Sequence, residues 1–175
     1  MEATRELLAE VGYQRLTYDA VAQRAGVHRP AVYRRWPSKP YLVNDACVPS
    51  IVEAMDFADT GNFENDLRSV VSAMVKFYSL PHVTAGLAGM LGEVAADKDL
   101  LAVMLPRFET DIRSRFVKMI DAYASRGEIA TVNAPLLLAA ITSTVFVRLA
   151  TLGVDDGTTD LVDDLSTLLI RACRL

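Results

Sequence analysis

The sequence predicts an all-α fold, and three features carry that prediction. Apolar residues recur at three- and four-residue steps along most of the chain, as in Leu67, Val70, Val71, Met74 and Phe77. No two-residue hairpin turn sits between alternating apolar runs. Residues that start or stop helices punctuate the periodic stretches: Thr17, Pro30, Pro81 and Asn133 at starts, Gly26 and Gly127 at ends. At 175 residues and 51% hydrophobic, the chain can bury a core of one or two domains.

The first helix begins near Met1. Thr17 is an N-cap residue ahead of a short run with Val21, Ala22 and Ala25 on one face, and Gly26 supplies the left-handed residue that ends it. A third helix starts after Val27; Pro30 fits its first turn, where the missing N–H has no intrahelical partner. Ser38 caps a fourth helix running to about Ala58, kinked at Pro49 by the lost backbone bond. Asp59 to Asn62 form a turn before the fifth helix. Pro81 opens a sixth, whose Gly86, Gly89 and Gly92 allow close packing. A long seventh helix runs from Lys98 to Arg126, kinked or restarted at Pro106, with Leu101, Leu105, Phe108, Ile112, Phe116, Met119 and Tyr123 as its stripe. Asn133 caps an eighth helix that is apolar almost all round. The ninth follows Asp155 to Thr159, with Leu161, Leu165, Leu168, Leu169 and Ala172 on one side.

Residues 17 to 39 carry the most specific signal. Two helices joined by a turn of about three to four residues containing glycine have the spacing of the DNA-reading helix-turn-helix. Charge agrees with it. Residues 1–40 hold seven Arg and Lys against four Asp and Glu, a net +3, whereas the remainder holds 11 against 18, a net −7 within the overall −4. A basic head on an acidic body is the electrostatic footprint of a domain that meets phosphate. Arg15 and Arg24 could belong to a solvated face, but the cluster of Arg29, Arg34, Arg35 and Lys39 is harder to explain that way.

Position by position, Glu10-Val11-Gly12-Tyr13, Leu16-Thr17, Val21-Ala22, Ala25-Gly26-Val27, Val32-Tyr33, Trp36 and Ser38-Lys39 resemble the N-terminal domain of TetR/AcrR transcriptional regulators over about forty residues. The resemblance implies a TetR-like all-α fold, with an N-terminal three-helix helix-turn-helix DNA-binding domain over 1–40 and a C-terminal helical ligand-binding and dimerisation domain over 41–175. It also implies a duplex DNA operator as partner, palindromic if the protein is a homodimer. Three departures stand out: the first helix starts about one turn late without the basic lead-in of the family, Pro40 stands where an acidic residue is usual, and His28 replaces the usual serine cap, where its ring can hydrogen-bond.

On this basis Arg29 and Arg34 are the candidate base readers and Ala31 a contact for a thymine methyl. Tyr33 and Lys39 match the family's phosphate-contacting positions, with Thr17, Tyr18 and His28 as helix-end partners for the DNA backbone. The eighth helix, apolar on every side, needs more cover than one amphipathic helix gives it, so the last two helices are expected to pair with a second copy through Phe146, Leu149, Leu165 and Leu168. Methionines and aromatics of the fifth to eighth helices, Met74, Phe77, Tyr78, Met90, Met104, Phe108, Phe116, Met119, Tyr123 and Phe146, with Thr142, are candidate lining for a small hydrophobic or aromatic ligand. The function expected is a repressor whose operator binding such a ligand relieves. The alternative is a dimeric small-molecule-binding protein of the same fold with weakened DNA binding.

Other classes find little in the residues. Two distant cysteines, Cys47 and Cys173, without a CxxC, fit a reducing cytoplasm. Charges within Met1 to Val11 argue against a signal peptide, and the charge-free stretch from Ala134 to Val147 is short for a membrane span. No metal-ligand spacing, nucleophile elbow or phosphate loop occurs, so no catalytic residue, metal or cofactor is expected. An acid–base pair of His82 and Glu93 is the one enzymatic reading the sequence offers.

Overall fold

The computed structural model describes residues 1–55, 57–102, 112–153 and 158–174, the side chains of 50–54 and 158–159 excepted. All regular structure among the described residues is helical: α1 (Glu2–Arg15), α2 (Tyr18–Ala25), α3 (Arg29–Arg35), α4 (Lys39–Ala54), α5 (Phe63–Tyr78), α6 (Pro81–Ala96), α7 (Ser114–Ser125), α8 (Ala134–Leu152) and α9 (Thr158–Ala172). The chain divides into two compact units, Met1–Ile51 with Leu80–Pro106, and Val52–Ser79 with Arg107–Leu175. Contacts therefore group the chain differently from the linear division 1–40 and 41–175, because α6 packs along α1.

The helix boundaries follow local chemistry. Thr17 Oγ1 accepts from Ala20 N at 3.2 Å, Asn62 Oδ1 from Asn65 N at 3.0 Å and Asn133 Oδ1 from Leu136 N at 3.0 Å, each satisfying one orphan donor of a first turn. Gly26 (φ 66°) and Gly127 (φ 72°) end α2 and α7 in the left-handed region. Around Gly127 the Glu128 and Gly127 amides return to the Tyr123 and Ala124 carbonyls, the paired bonds of a Schellman stop.

The structure departs from the sequence expectations in four places. Helix α1, read from the sequence as a single first helix, is interrupted at Gly12 (φ 74°, ψ 172°). Helix α4 ends at Ala54 and continues through Pro49, so the proline costs one bond without ending the helix. His28 precedes α3 without a side-chain capping bond. Of the α9 stripe, Leu165 and Leu169 are buried, but Leu168 is 64% exposed and Ala172 is exposed as well. The expected pivot at Pro106 lies outside the described residues.

In the first unit, Leu8, Val43, Cys47 and Val83 are fully buried, and α6 meets α1 with almost no gap. A Cβ added at Gly89 would stand 2.1 Å from Tyr13 Cβ, and one at Gly86 would stand 2.8 Å from Val43 Cγ1. In the second unit α5 packs against α8 and α9, and α7 against α8, around Leu67, Val70, Met74, Phe116 and Ile141. Helix α8 is long and apolar enough, by length and composition, to cross a membrane. Leu137, Leu138, Ile141, Val145 and Leu149 nevertheless bury one of its faces within this unit.

Candidate functional site

The geometry of the head starts from the turn after α2. Gly26 sends the chain back so that α3 lies against α2, with Val21, Ala22 and Val32 buried between them. That burial fixes which side of α3 faces out: Arg29, Pro30, Ala31, Tyr33, Arg34 and Arg35 are all exposed. The Tyr33 ring stacks on Tyr18, centroids 4.0 Å apart and planes 16° from parallel. Tyr18 Oη in turn donates to the Trp36 carbonyl at 2.9 Å, and Trp36 Nε1 donates to Asp45 Oδ2 at 2.9 Å, tying the end of α3 to α4. Burial, then the neighbouring Tyr33, pushes the Tyr18 hydroxyl above the ordinary phenol range, so it stays a neutral donor at physiological pH.

The cations of the head are in two states. Arg24 is held by Glu10 and Glu6 of α1, with N–O distances of 2.8 and 3.2 Å, and Arg5 Nε donates to the Ala46 carbonyl at 2.8 Å. These are braces. Arg29 pairs with Asp19 at 3.1 Å and donates to Tyr33 Oη at 3.1 Å, while remaining exposed. Arg34 is exposed beside them, and Arg35 lies 4.8 Å from the Trp36 ring centroid. Thr17 and His28 are exposed at the starts of α2 and α3. Lys39 is half-buried: its Nζ sits 4.4 Å from the Tyr13 ring centroid and donates to the Tyr13 carbonyl at 3.1 Å. An ammonium has three donors, so this bond leaves two. The fold thus leaves six of the eight candidate DNA contacts exposed on the head, with Tyr18 and Lys39 half-buried. Asp19 is the residue that sequence reasoning passed over; an acid in the first turn of α2, ten residues before Arg29, is its only trace in the sequence.

The candidate ligand-lining residues are divided between the two units. Met90 belongs to the first unit, while Met74, Phe77, Tyr78, Phe116, Met119, Tyr123, Thr142 and Phe146 belong to the second. Met104 and Phe108 lie outside the described residues. Tyr78 contacts Phe77 and Phe146 at centroid distances of 4.9 and 5.3 Å, and burial pushes its hydroxyl up to about 12. Thr142 Oγ1 donates back to the Leu138 and Ala139 carbonyls of its own helix. The Tyr123 hydroxyl is spent inside the protein: it donates to Asp66 Oδ2 at 2.5 Å and accepts from Gly61 N at 3.1 Å. Met119 lines a surface hollow of about 280 Å³ together with Phe57, Asp59, Arg115, Lys118 and Ala122.

The seam residues separate as well. Leu149 (3% exposed) and Leu165 (6%) are core of their own unit, and Phe146 is half-buried against Tyr78, whereas Leu168 stands in solvent with Leu136, Val147 and Leu152 of α8. Leu168 also edges a hollow of about 510 Å³ between α8 and α9, with Thr144, Arg148, Asp160 and Asp164. As for acid–base chemistry, His82 and Glu93 stand eleven residues apart on α6, roughly 16 Å of helix rise, too far to act on one group. Among the described residues no cluster of three or more His, Cys, Asp and Glu is placed to hold a metal.

Comparison with known proteins matches both parts of this architecture. Residues 1–46 match the N-terminal model of bacterial regulatory proteins of the tetR family, and residues 57–169 match the tetracyclin repressor-like C-terminal domain. An HTH-type transcriptional regulator of Mycobacterium tuberculosis is 31% identical over 75% of this chain, a match that spans 64% of the relative's own length, under two thirds of it. The HTH-type transcriptional regulator AqdR of Rhodococcus erythropolis is 26% identical over 89% of this chain and 74% of its own. In fold, a TetR transcription regulator of Haloarcula marismortui superposes with a TM-score of 0.72 at 20% identity, covering 98% of this chain and 94% of that one. With one model matched by the head and another by most of the remainder, the chain belongs to the tetR family of bacterial regulatory proteins.

Proposed function

We propose that this protein is a DNA-binding transcriptional regulator that inserts α3 into the major groove of an operator. The observation that carries the reading is the outward face of α3, where Arg29, Tyr33 and Arg34 are exposed on a helix whose other face is fixed by Val32 and by the Tyr18–Tyr33 stack. Arginine offers the fork that guanine O6 and N7 accept, and the surrounding Thr17, His28 and Lys39 donors position the phosphates, while Tyr18, its hydroxyl proton already given to the Trp36 carbonyl, supports Tyr33 through its ring. Ala31 meets a thymine methyl. The protein works as a homodimer, because one recognition helix reads few base pairs and two held about 34–36 Å apart read two half-sites. Exposed Leu136, Val147, Leu152 and Leu168 on α8 and α9 supply the apolar face for that pairing.

A small hydrophobic or aromatic ligand in the second unit relieves repression on this reading. The residues offered for it are Met74, Phe77, Tyr78, Phe116, Met119, Thr142 and Phe146, with Met104 and Phe108; Tyr123 contributes its ring, since its hydroxyl is already bonded. Such a ligand acts only through its differential affinity for the two operator-binding states, about 1.4 kcal/mol for a tenfold loss of operator affinity. Buried free thiols at Cys47 and Cys173 fit a reducing cytoplasm. Fluorescence anisotropy on duplex DNA at several salt concentrations tests the DNA half: binding should weaken steeply with salt. An apolar compound library screened by melting temperature tests the ligand half, and a hit should also lower operator affinity.

A further inference from the structure

The Arg29 side chain is held from two sides. Its NH1 lies 3.1 Å from Asp19 Oδ2, its NH2 donates to Tyr33 Oη at 3.1 Å, and its guanidinium carbon sits 5.1 Å from the Tyr33 ring centroid. Tyr33 cannot swing freely either, since it is stacked on Tyr18, whose own hydroxyl is bonded to Trp36. Tyr33 Oη therefore takes one N–H of NH2, and the Asp19 carboxylate stands beside NH1 as its ion-pair partner, which holds the remaining N–H groups in a defined plane.

That arrangement bears on what Arg29 can recognise. A loose arginine is a mobile charge and meets any phosphate; an oriented fork can present two parallel donors to guanine O6 and N7. The carboxylate also opposes binding by phosphate alone, because it places negative charge on the side of the head that meets a polyanion. Asp19 and Arg29 are 64% and 53% exposed, so their ion pair matters little to folding. An exposed acid on the groove-facing side of a basic head serves recognition better than stability.

We propose that Asp19 is a specificity-determining residue that orients the Arg29 fork toward one base pair and suppresses binding to unrelated duplex. The proposal rests on the DNA-binding reading above. Its test is binding-site selection from a randomised duplex pool, followed by titration on the selected site and on a scrambled duplex, for the unaltered protein, Asp19→Asn, Asp19→Glu, Arg29→Ala and the Asp19→Asn/Arg29→Ala pair. Melting curves confirm that each is folded. Asp19→Asn should bind scrambled duplex a few fold more tightly and lose about tenfold of its preference at one base pair, the same position that Arg29→Ala relaxes. The double variant should relax that position no further than Arg29→Ala does, and Asp19→Glu should restore part of the preference. An Asp19→Asn variant with unaltered base preference overturns the proposal, whether or not its affinity for all duplexes rises. If the unaltered protein binds no duplex, both readings fall; if it selects a site that Asp19→Asn selects equally well, this one falls alone.

Discussion

Lys39 at the start of α4 closes over Tyr13 near the end of α1, its ammonium 4.4 Å from the ring centroid and bonded to the Tyr13 carbonyl at 3.1 Å. One side chain thus braces the head and keeps two donors for phosphate. Lys39→Ala should lower the melting temperature and also reduce the salt slope of DNA binding by about one per subunit contact, weakening all duplexes alike. Melting curves and a salt titration read the two effects separately. An unaltered slope leaves Lys39 as an internal tie only.

Tyr13 is gripped from its other side by α6. Gly89→Ala would drive a methyl to 2.1 Å from Tyr13 Cβ and 2.5 Å from Cγ, so either the helix or the ring must shift. Overpacking of this kind costs about 1–3 kcal/mol. Gly92, one turn on, has open space where an added methyl would stand, with nothing within 4 Å, so Gly92→Ala should be neutral or gain up to about 1 kcal/mol from helix propensity. Denaturant midpoints of the two variants should therefore diverge, with a clear loss for Gly89→Ala alone; equal losses would contradict the close α1–α6 contact.

In the second unit the buried Asp66 carboxylate accepts from Tyr123 Oη, Thr60 N and Thr60 Oγ1. Burial alone would raise its pKa, but these bonds outweigh burial and hold it below the ordinary 3.8. A folded-state value under the unfolded one stabilises the protein above the unfolded pKa, and that contribution is lost as pH falls through the folded value. Tyr123→Phe removes one donor and should cost about 1–3 kcal/mol at pH 7. The gap in melting temperature between the two proteins should then narrow as pH falls below 3.8 and through the lower folded-state value, where Asp66 takes up its proton in the native protein. A gap that stays constant with pH would show that Tyr123 does not favour the ionised carboxylate.

The exposed position of Leu168 separates dimerisation from folding. Leu165→Asp would bury a charge in the core of its own unit and unfold it, whereas Leu168→Asp changes a side chain that is 64% exposed in the single chain. Light scattering should find Leu168→Asp folded and shifted toward monomer, with weakened binding to a two-half-site operator. A variant that remains dimeric moves the seam away from this part of α9.

Much of the fold is legible in the sequence because its signals are local. Thr17, Gly26, Asn133 and Gly127 act on backbone groups within five residues, so a cap or stop can be read directly. The buried side of α5 follows from periodicity for the same reason. What escapes is set at longer range. Periodicity gives a stripe without its edges, so it groups Leu168 with Leu165 although only Leu165 is buried. It also places Tyr123 inward but cannot supply its partner Asp66, 57 residues away. The ion pair of Asp19 with Arg29 depends on how α3 returns against α2, and the break at Gly12 lies inside an otherwise helical pattern.

The most direct test of the central claim is selection of duplexes from a random pool by the unaltered protein, with the enriched sequence then titrated across salt. An inverted repeat with half-site centres about 10 base pairs apart is expected, and affinity should fall linearly with salt on logarithmic axes. Arg29→Ala and Arg34→Ala should each relax part of the repeat and weaken it roughly 5- to 100-fold. No enriched sequence, together with binding insensitive to salt, would contradict the account.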